Sequence, residues 1–537
     1  MYKRYYYLLF LSITSATALS LAWYPYFTAL VFVGLVPILE AERYIYENFV
    51  SPQKVFFLFS FCTLLLWNIG VYWWLWNASG FTTLAAWIAN ALLQCIPLML
   101  FQWGKLRIHK KSFQKILWIC CWLGFEYLHL NWDFSWVWLN LGNAFANTPS
   151  WVQWYEYTGA LGGTLWILIV NWQINNTIRK AKGLVFTFLT IILPILISYI
   201  ILWRINIQGK PIEVVVVQPN IDTYTEKFNY NAKTGEPNPN SMPYDEQIQR
   251  MLQTAQTVTT DSTIFILFPE TALHLSKNES YTDNYPDIRS FRHWQELHFP
   301  KSSIVVGADT YLKYDNPQTS TARYSNEVGY YDVFNSAIFL QKDAPAQHYK
   351  KSELVIGVET IPFPTLFRWL MLNLGGTVGS LGRQAHQVPF CRKDSICIAP
   401  VICYESVYGE TVAEFVRNGA HLIGIITNDD WWGDTPGYRQ HLAFARLRAI
   451  ETRRYIARAA NTGISAFITP TGQFLEMSSY KQKIALRQTV LACNHLTWYA
   501  KTGDSIGKVA AFLAIFMLLS VLVKKRTSFR KSRLKHF

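Results

Sequence analysis

The sequence predicts a multi-pass α-helical membrane domain of about eight transmembrane helices joined to a sizeable α/β sandwich. Three observations predict it. Long apolar runs crowd the first 208 residues, and one more lies near the C-terminus. From about Gly209, short β-branched runs alternate with segments of helical spacing, the pattern of buried strands with covering helices. And although 51% of residues are hydrophobic and 16% charged, mean hydropathy is only +0.10, so a water-facing part must balance the apolar one. At 537 residues the chain exceeds one ordinary core. The expected domains are 1–208, 209–504 and 505–537.

The candidate spans approach the roughly 20 residues that a bilayer crossing needs. They fall at 6–22, 24–39, 55–75, 81–103, 116–130, 159–175, 184–203 and 509–523. Lys3 and Arg4 ahead of the first run suggest a signal peptide, but a second run follows at once without a small-residue cleavage site, so a retained hairpin turning near Pro25 is expected. A net charge of +14 raises the question of nucleic acid. Many of the basic residues instead cluster in short segments flanking the apolar runs, which argues against nucleic acid. Lys105, Arg107, Lys110, Lys111 and Lys115 follow the fourth span, and Arg179, Lys180 and Lys182 the sixth. Lys524, Lys525, Arg526, Arg530, Lys531, Arg533 and Lys535 follow the eighth. An even number of spans precedes each cluster, while 77–80 and 131–157 hold no Lys or Arg. The positive-inside pattern therefore predicts cytoplasmic termini and a 209–504 segment on the far side, the periplasm in a diderm bacterium.

The 131–154 loop holds Trp132, Trp136, Trp138, Trp151 and Trp154. It reads as an interfacial belt or as a lipid-headgroup contact. Glu126 lies within the fifth span, where an acid is a functional hypothesis unless it faces water.

In the second part, strands are expected at 212–217, 263–268, 303–307, 334–341, 422–426, 458–469 and 488–493, with a hairpin at 388–391 and 396–402. Helices are expected at 245–260, 410–418 and 441–453. The polar stretch 222–243 is expected to be a long surface loop.

The chemistry centres on Cys403, a thiol at the end of the apolar run 399–402. A rigid support at a strand's carboxyl edge suits a nucleophile, although a buried structural cysteine is the commoner kind. Glu270 follows the strand at 263–268, and the pair Lys350–Lys351 follows a strand-like stretch at 333–341. A nearby ammonium lowers a thiol's pKa and stabilises an oxyanion. A carboxylate can take the thiol proton and later activate a second nucleophile. Together they suit acyl transfer through a thioester.

Glu, Lys and Cys in this order, each past a strand, resemble the triad of the nitrilase superfamily. Over nearly the whole chain, the architecture resembles the apolipoprotein N-acyltransferase family within it. The motifs are Phe268-Pro269-Glu270-Thr271-Ala272, Tyr349-x-Lys351-x-x-Leu354-Val355, Ile402-Cys403-Tyr404-Glu405 and Thr427-Asn428-Asp429-x-Trp431-x-Gly433-Asp434. His441-Leu442-x-x-Ala445-Arg446-x-Arg448-Ala449-x-Glu451, Asn461-Thr462-Gly463-x-Ser465 and Thr497-Trp498-Tyr499-Ala500-Lys501-Thr502-Gly503-Asp504 also match. Glu126 and the Trp-rich loop are similar to the family's fifth-span region.

The resemblance implies a nitrilase-like α-β-β-α sandwich. It implies Glu270 as general base, Lys351 as oxyanion-stabilising cation and Cys403 as nucleophile. Glu359 is implied as an assisting carboxylate, Tyr404 and Glu405 as neighbours of the nucleophile, and Asn335, Asn428 and Trp431 as wall residues that bind substrate. It further implies a phospholipid acyl donor, usually phosphatidylethanolamine, a diacylglyceryl-modified apolipoprotein as acceptor, an inner-membrane location and no metal or dissociable cofactor. Two departures stand out. The chain reads Leu354-Val355-Ile356-Gly357-Val358-Glu359 where the family usually has Leu-Val-Pro-Phe-Gly-Glu, and His274 stands where it has proline.

The Tyr-x-Lys spacing selects Lys351 and leaves Lys350 to solvent or a phosphate. Cys62, Cys95, Cys120 and Cys121 read as packing residues in spans, and Cys391 and Cys397 as a hairpin disulfide or two buried thiols. Asp429, Asp430 and Asp434 read as a polar turn, and His441 as a capping or packing residue. Two rival functions remain at this level: a membrane-tethered amidase with water as second nucleophile, and a non-catalytic lipoprotein-binding protein.

Overall fold

The computed structural model describes residues 2–108, 110–180, 183–230, 235–361 and 380–533. Lys182, Lys535 and part of the 222–243 loop lie outside them. The chain forms two compact units, residues 1–204 with 502–537, and residues 205–501.

The first unit is helical. Its long helices are Tyr2–Leu21, Val36–Asn48, Pro52–Tyr72, Thr82–Lys105, Lys111–Leu130, Ala160–Lys180, Leu184–Arg204 and Ser505–Arg533. Among the described residues four segments are long and apolar enough to cross a membrane: Pro52–Tyr72, Thr82–Lys105, Leu184–Arg204 and Ser505–Val523. The expected second span, 24–39, is not one helix. A 3-10 turn at Thr28–Leu30 and a short helix Val31–Gly34 precede Val36–Asn48, which runs past residue 39. Pro37, at the start of that helix, cannot donate a backbone hydrogen bond within a continuous one. Asn171 spans the break: its Nδ2 donates to Val31 O at 2.9 Å, and its Oδ1 accepts from Leu35 N at 2.8 Å.

The Trp-rich loop is also not a simple belt. Its 3-10 turns Val137–Leu139, Leu141–Asn147 and Pro149–Trp151 fold into the unit. Trp138 is buried, Trp136, Trp151 and Trp154 are partly buried, and Trp132 is exposed. Buried loop backbone needs polar partners, and Glu126 supplies one of them. Its carboxylate accepts from Leu141 N at 2.8 Å, Trp122 Nε1 at 2.9 Å and Thr164 Oγ1 at 2.6 Å.

The second unit holds fourteen strands among the described residues: β1 Lys210–Gln218, β2 Thr263–Leu267, β3 Leu273–Asn278, β4 Ser303–Tyr314, β5 Arg323–Ser325, β6 Gly329–Gln341, β7 Gln347–Lys350, β8 Phe390–Cys391, β9 Cys397–Ile402, β10 Leu422–Thr427, β11 Ile456–Ala460, β12 Ala466–Ile468, β13 Phe474–Met477 and β14 Ile484–Ala492. One sheet runs β14-β1-β2-β4-β6-β5, with β3 beside β4 and β7 beside β6. The other runs β13-β12-β11-β10-β9-β8. Strands β1, β2 and β4 are parallel, as are β9, β10 and β11.

Strand parity builds the layers. Val214 and Val216 of β1 join Phe265 and Leu267 of β2 in a core shared with β9, β10 and β11. Val215, Val217 and Ile266 point the other way, against Ile248, Met251 and Leu252 of helix Tyr244–Gln256 and Phe291 of helix Pro286–His298. Helices Gly409–Arg417 and Pro436–Thr452 pack against the second sheet through residues such as Phe415, Leu442 and Ala449. The result is the α-β-β-α sandwich. At its edge β8 and β9 pair antiparallel, and Cys391 and Cys397 are joined as a disulfide.

Candidate active site

The carboxyl ends of β2, β7, β9 and β10 converge. Residues just past β2 supply Glu270, the residue after β7 is Lys351, and Cys403 directly follows β9. Lys351 Nζ lies 3.1 Å from Glu270 Oε1 and 2.9 Å from Glu359 Oε1. Asn335, on β6, donates from Nδ2 to both of those carboxylates at 2.8 Å. Glu270 Oε2 accepts from Asn428 N at 3.0 Å. Glu359 Oε2 accepts from Val355 N at 2.8 Å, closing the loop 355–359 on itself. Gly357 in that loop has φ of +80°, and the residues that depart from the family's usual sequence still bring the glutamate to the lysine.

Burial pushes the Glu270 carboxyl up, but the Lys351 ammonium and the Asn335 amide outweigh it and hold the group below its ordinary range. Burial alone would push Lys351 down, yet Glu270 and Glu359 carry it well above the usual lysine value. The thiol behaves differently from the expectation that a neighbouring ammonium lowers its pKa. Burial and the charge of Glu270 push Cys403 well up, and Lys351 offsets only part of this. The Cys403 thiol is therefore held protonated, near a carboxylate that is held ionised.

Cys403 has φ of +48°, a strained conformation for a non-glycine residue. A dense network fixes it. The Cys403 carbonyl accepts from Ser406 Oγ at 2.7 Å and lies 3.1 Å from His441 Nε2. His441 Nδ1 is 3.0 Å from Asp429 Oδ1, and Asp429 Oδ2 pairs with Arg458 at 2.6 Å. Asp429 and His441 are thus buried parts of the network that holds the Cys403 backbone, not a polar turn and a packing residue. Spacing alone could not reveal this, because the turn after β10, strand β11 and helix Pro436–Thr452 contribute one member each.

Glu405 is fully buried and accepts from Ile402 N, Tyr349 Oη and Ser352 N, each at 2.7 Å. It ties the lysine strand's end to the nucleophile's turn. Tyr404 is buried, its ring 5.3 Å from that of Tyr408. The Asn428 side chain donates to Thr223 Oγ1 at 3.1 Å. Trp431 packs edge-on against Tyr224 at 5.7 Å. Lys350 points away from the triad. It pairs with Glu279 at 3.0 Å and lies over the Phe334 ring. Among the described residues no cluster of His, Cys, Asp or Glu could hold a metal ion.

Residues 216–490 match the carbon-nitrogen hydrolase family, and the chain belongs to that family. Residues 15–173 match the apolipoprotein N-acyltransferase N-terminal domain. The chain is 28% identical to the apolipoprotein N-acyltransferase of Chlorobaculum tepidum, over 93% of this chain and 92% of that one. The enzyme of the same description from Thermotoga maritima is 24% identical over 73% and 68%. That from Nitrosomonas europaea is 32% identical over 37% and 39%.

Proposed function

We infer that the chain is an apolipoprotein N-acyltransferase that works through a thioester on Cys403. The observation that carries the reading is the contact of Lys351 with both Glu270 and Glu359, beside a buried thiol, in a chain whose N-terminal part matches that enzyme's own N-terminal domain. In the reading, Glu270 takes the Cys403 proton as sulfur attacks the ester carbonyl of a phospholipid. Lys351 stabilises the oxyanion. The intermediate collapses, and Glu270 returns the proton to the departing lysophospholipid alkoxide. The α-amine of a diacylglyceryl-cysteine then attacks the thioester. Glu270 takes the amine proton, and Cys403 leaves and is reprotonated. No redox step occurs.

Asn335 and Glu359 hold the base and the cation, while Asn428 and Trp431 form the wall. Eight spans, with both termini cytoplasmic and residues 209–504 in the periplasm, would set the site beside the inner membrane. Confining two lipid-anchored substrates to one plane raises their effective concentration. Positive-inside charge supports this orientation.

The test is intact-protein mass spectrometry after incubation with phosphatidylethanolamine, beside Cys403→Ala. The expected result is a hydroxylamine-labile acyl adduct on the wild type alone, and its transfer to a diacylglyceryl peptide as an amide. Release of free acid instead of amide would identify an amidase. Absence of any adduct on folded protein would remove the thioester mechanism.

A further inference from the structure

Glu270 sits in a turn that its own sequence does not favour. The next residue, Thr271, has φ of +47°, an outlier for a β-branched side chain. Such a backbone persists only where its surroundings over-determine it. One constraint comes from Gly307 of β4, whose amide donates to Pro269 O at 3.1 Å. The other comes from Lys227, 44 residues earlier in the chain, which donates from Nζ to Thr271 Oγ1 at 2.7 Å.

Lys227 is an unusual residue to find here. It is only 5% exposed, and burying an ammonium is costly unless it is paired. Yet among the described residues no carboxylate lies within ion-pair distance of it, and Thr271 is the acceptor its ammonium uses. Its backbone is fixed on both sides: Lys227 N donates to Asp222 O at 2.9 Å, and Gln247 Nε2 donates to Lys227 O at 2.9 Å. Lys227, Gln247, Glu270 and Asn461 line a common small pocket. Lys227 and Glu270 thus share the wall of one small pocket and interact electrostatically. Burial pushes the ammonium down to about 8, against the pull of Asp309, Glu270 and Asp430.

We propose that Lys227 is a positioning residue for the base: through Thr271 it locks the Glu270 turn, and in the pocket they share its charge joins that of Lys351 in keeping Glu270 ionised. The proposal rests on the assignment of Cys403 as nucleophile and Glu270 as its base. The groups that face Lys227 are Glu270, Asp309 on β4, Asp430 beyond β10 and the ring of His274. Glu270 in turn faces Lys351, Asp309 and the Cys403 thiol. Removing the Lys227 charge leaves Lys351 alone against these carboxylates, so protonation of Glu270 moves to higher pH.

The experiment needs no acyl substrate. The full chain in detergent is alkylated with iodoacetamide across a pH series, and modification of Cys403 is read by peptide mass spectrometry. The acid limb of that profile follows protonation of Glu270. Lys227→Met is expected to move the limb up by roughly one pH unit, and Lys227→Arg to leave it at the wild-type position. Thr271→Val, which keeps the charge but removes the acceptor, is expected to slow alkylation without moving the limb. An unmoved limb in Lys227→Met, or an equal shift in Lys227→Met and Lys227→Arg, would overturn the electrostatic role. Should Lys227→Met fail to fold, an unchanged rate in Thr271→Val would overturn the positioning role. A Glu270→Gln variant with a wild-type profile would instead bring down the base assignment, and the proposal with it.

Discussion

One amide nitrogen, that of Asn335, donates to two carboxylates at 2.8 Å each. Without it Glu270 and Glu359 would repel each other with only Lys351 between them. Loss of a hydrogen bond to a charged group costs about 1.5–3 kcal/mol. Asn335→Ala should therefore slow thioester formation by roughly 10- to 100-fold with the fold retained, as followed by mass spectrometry and circular dichroism. The same residues set a pH dependence. Glu270 is held below its ordinary value by Lys351 and Asn335 against the effect of burial. Its carboxylate is present above the folded pKa and is lost as pH falls through it, so thioester formation should keep its base below about pH 4.3, the unperturbed glutamate value. An acid limb at or above that value, in a pH series of acyl-adduct formation, would contradict the arrangement.

At the scale of elements, the site depends on how closely β4 approaches the turn after β2. A Cβ on Gly307 would stand 2.6 Å from Glu270 Cα and 2.7 Å from Thr271 N, inside any tolerable contact. Gly307→Ala should cost about 1–3 kcal/mol and push Glu270 off its partners. A displacement near 1 Å lowers the rate on the order of 100-fold; thermal unfolding and adduct formation measured together would show both effects. The positions of Glu270 and Cys403 were legible because a β-branched, apolar run precedes each: Thr263–Leu267 before Glu270 and Cys397–Ile402 before Cys403. Strand β7 was not legible. It is four polar or aromatic residues, Gln347–Lys350, and exists by pairing with β6. Strand β3 and helix Pro286–His298 were missed for a similar reason, since Leu273–Asn278 holds only two apolar residues and the helix sets Ile288, Phe291 and Trp294 among charged and polar neighbours. The support of Cys403 was hidden for another reason. Asp429, His441 and Arg458 meet only after three elements pack, and no local pattern encodes that meeting.

For the whole molecule, the apolar runs were the plainest signal, and four described helices are long and apolar enough to cross a membrane. The helices that fall short include Val36–Asn48, with its proline start, and Lys111–Leu130, which carries Glu126 in its interior. The unit spends polar side chains inward: Asn171 mends a helix break, and Glu126 buries a loop. One feature of the other unit gives the orientation a readout of its own. Of the eight cysteines, six are free and Cys391 and Cys397 are linked. A chain delivered to an oxidising compartment should therefore consume six equivalents of maleimide when unfolded without reductant, and eight after reduction. A chain whose second unit never left the reducing side should consume eight in both cases. The β8–β9 hairpin thus keeps a chemical record of which side of the membrane it matured on, and counting thiols on freshly denatured cells would read it.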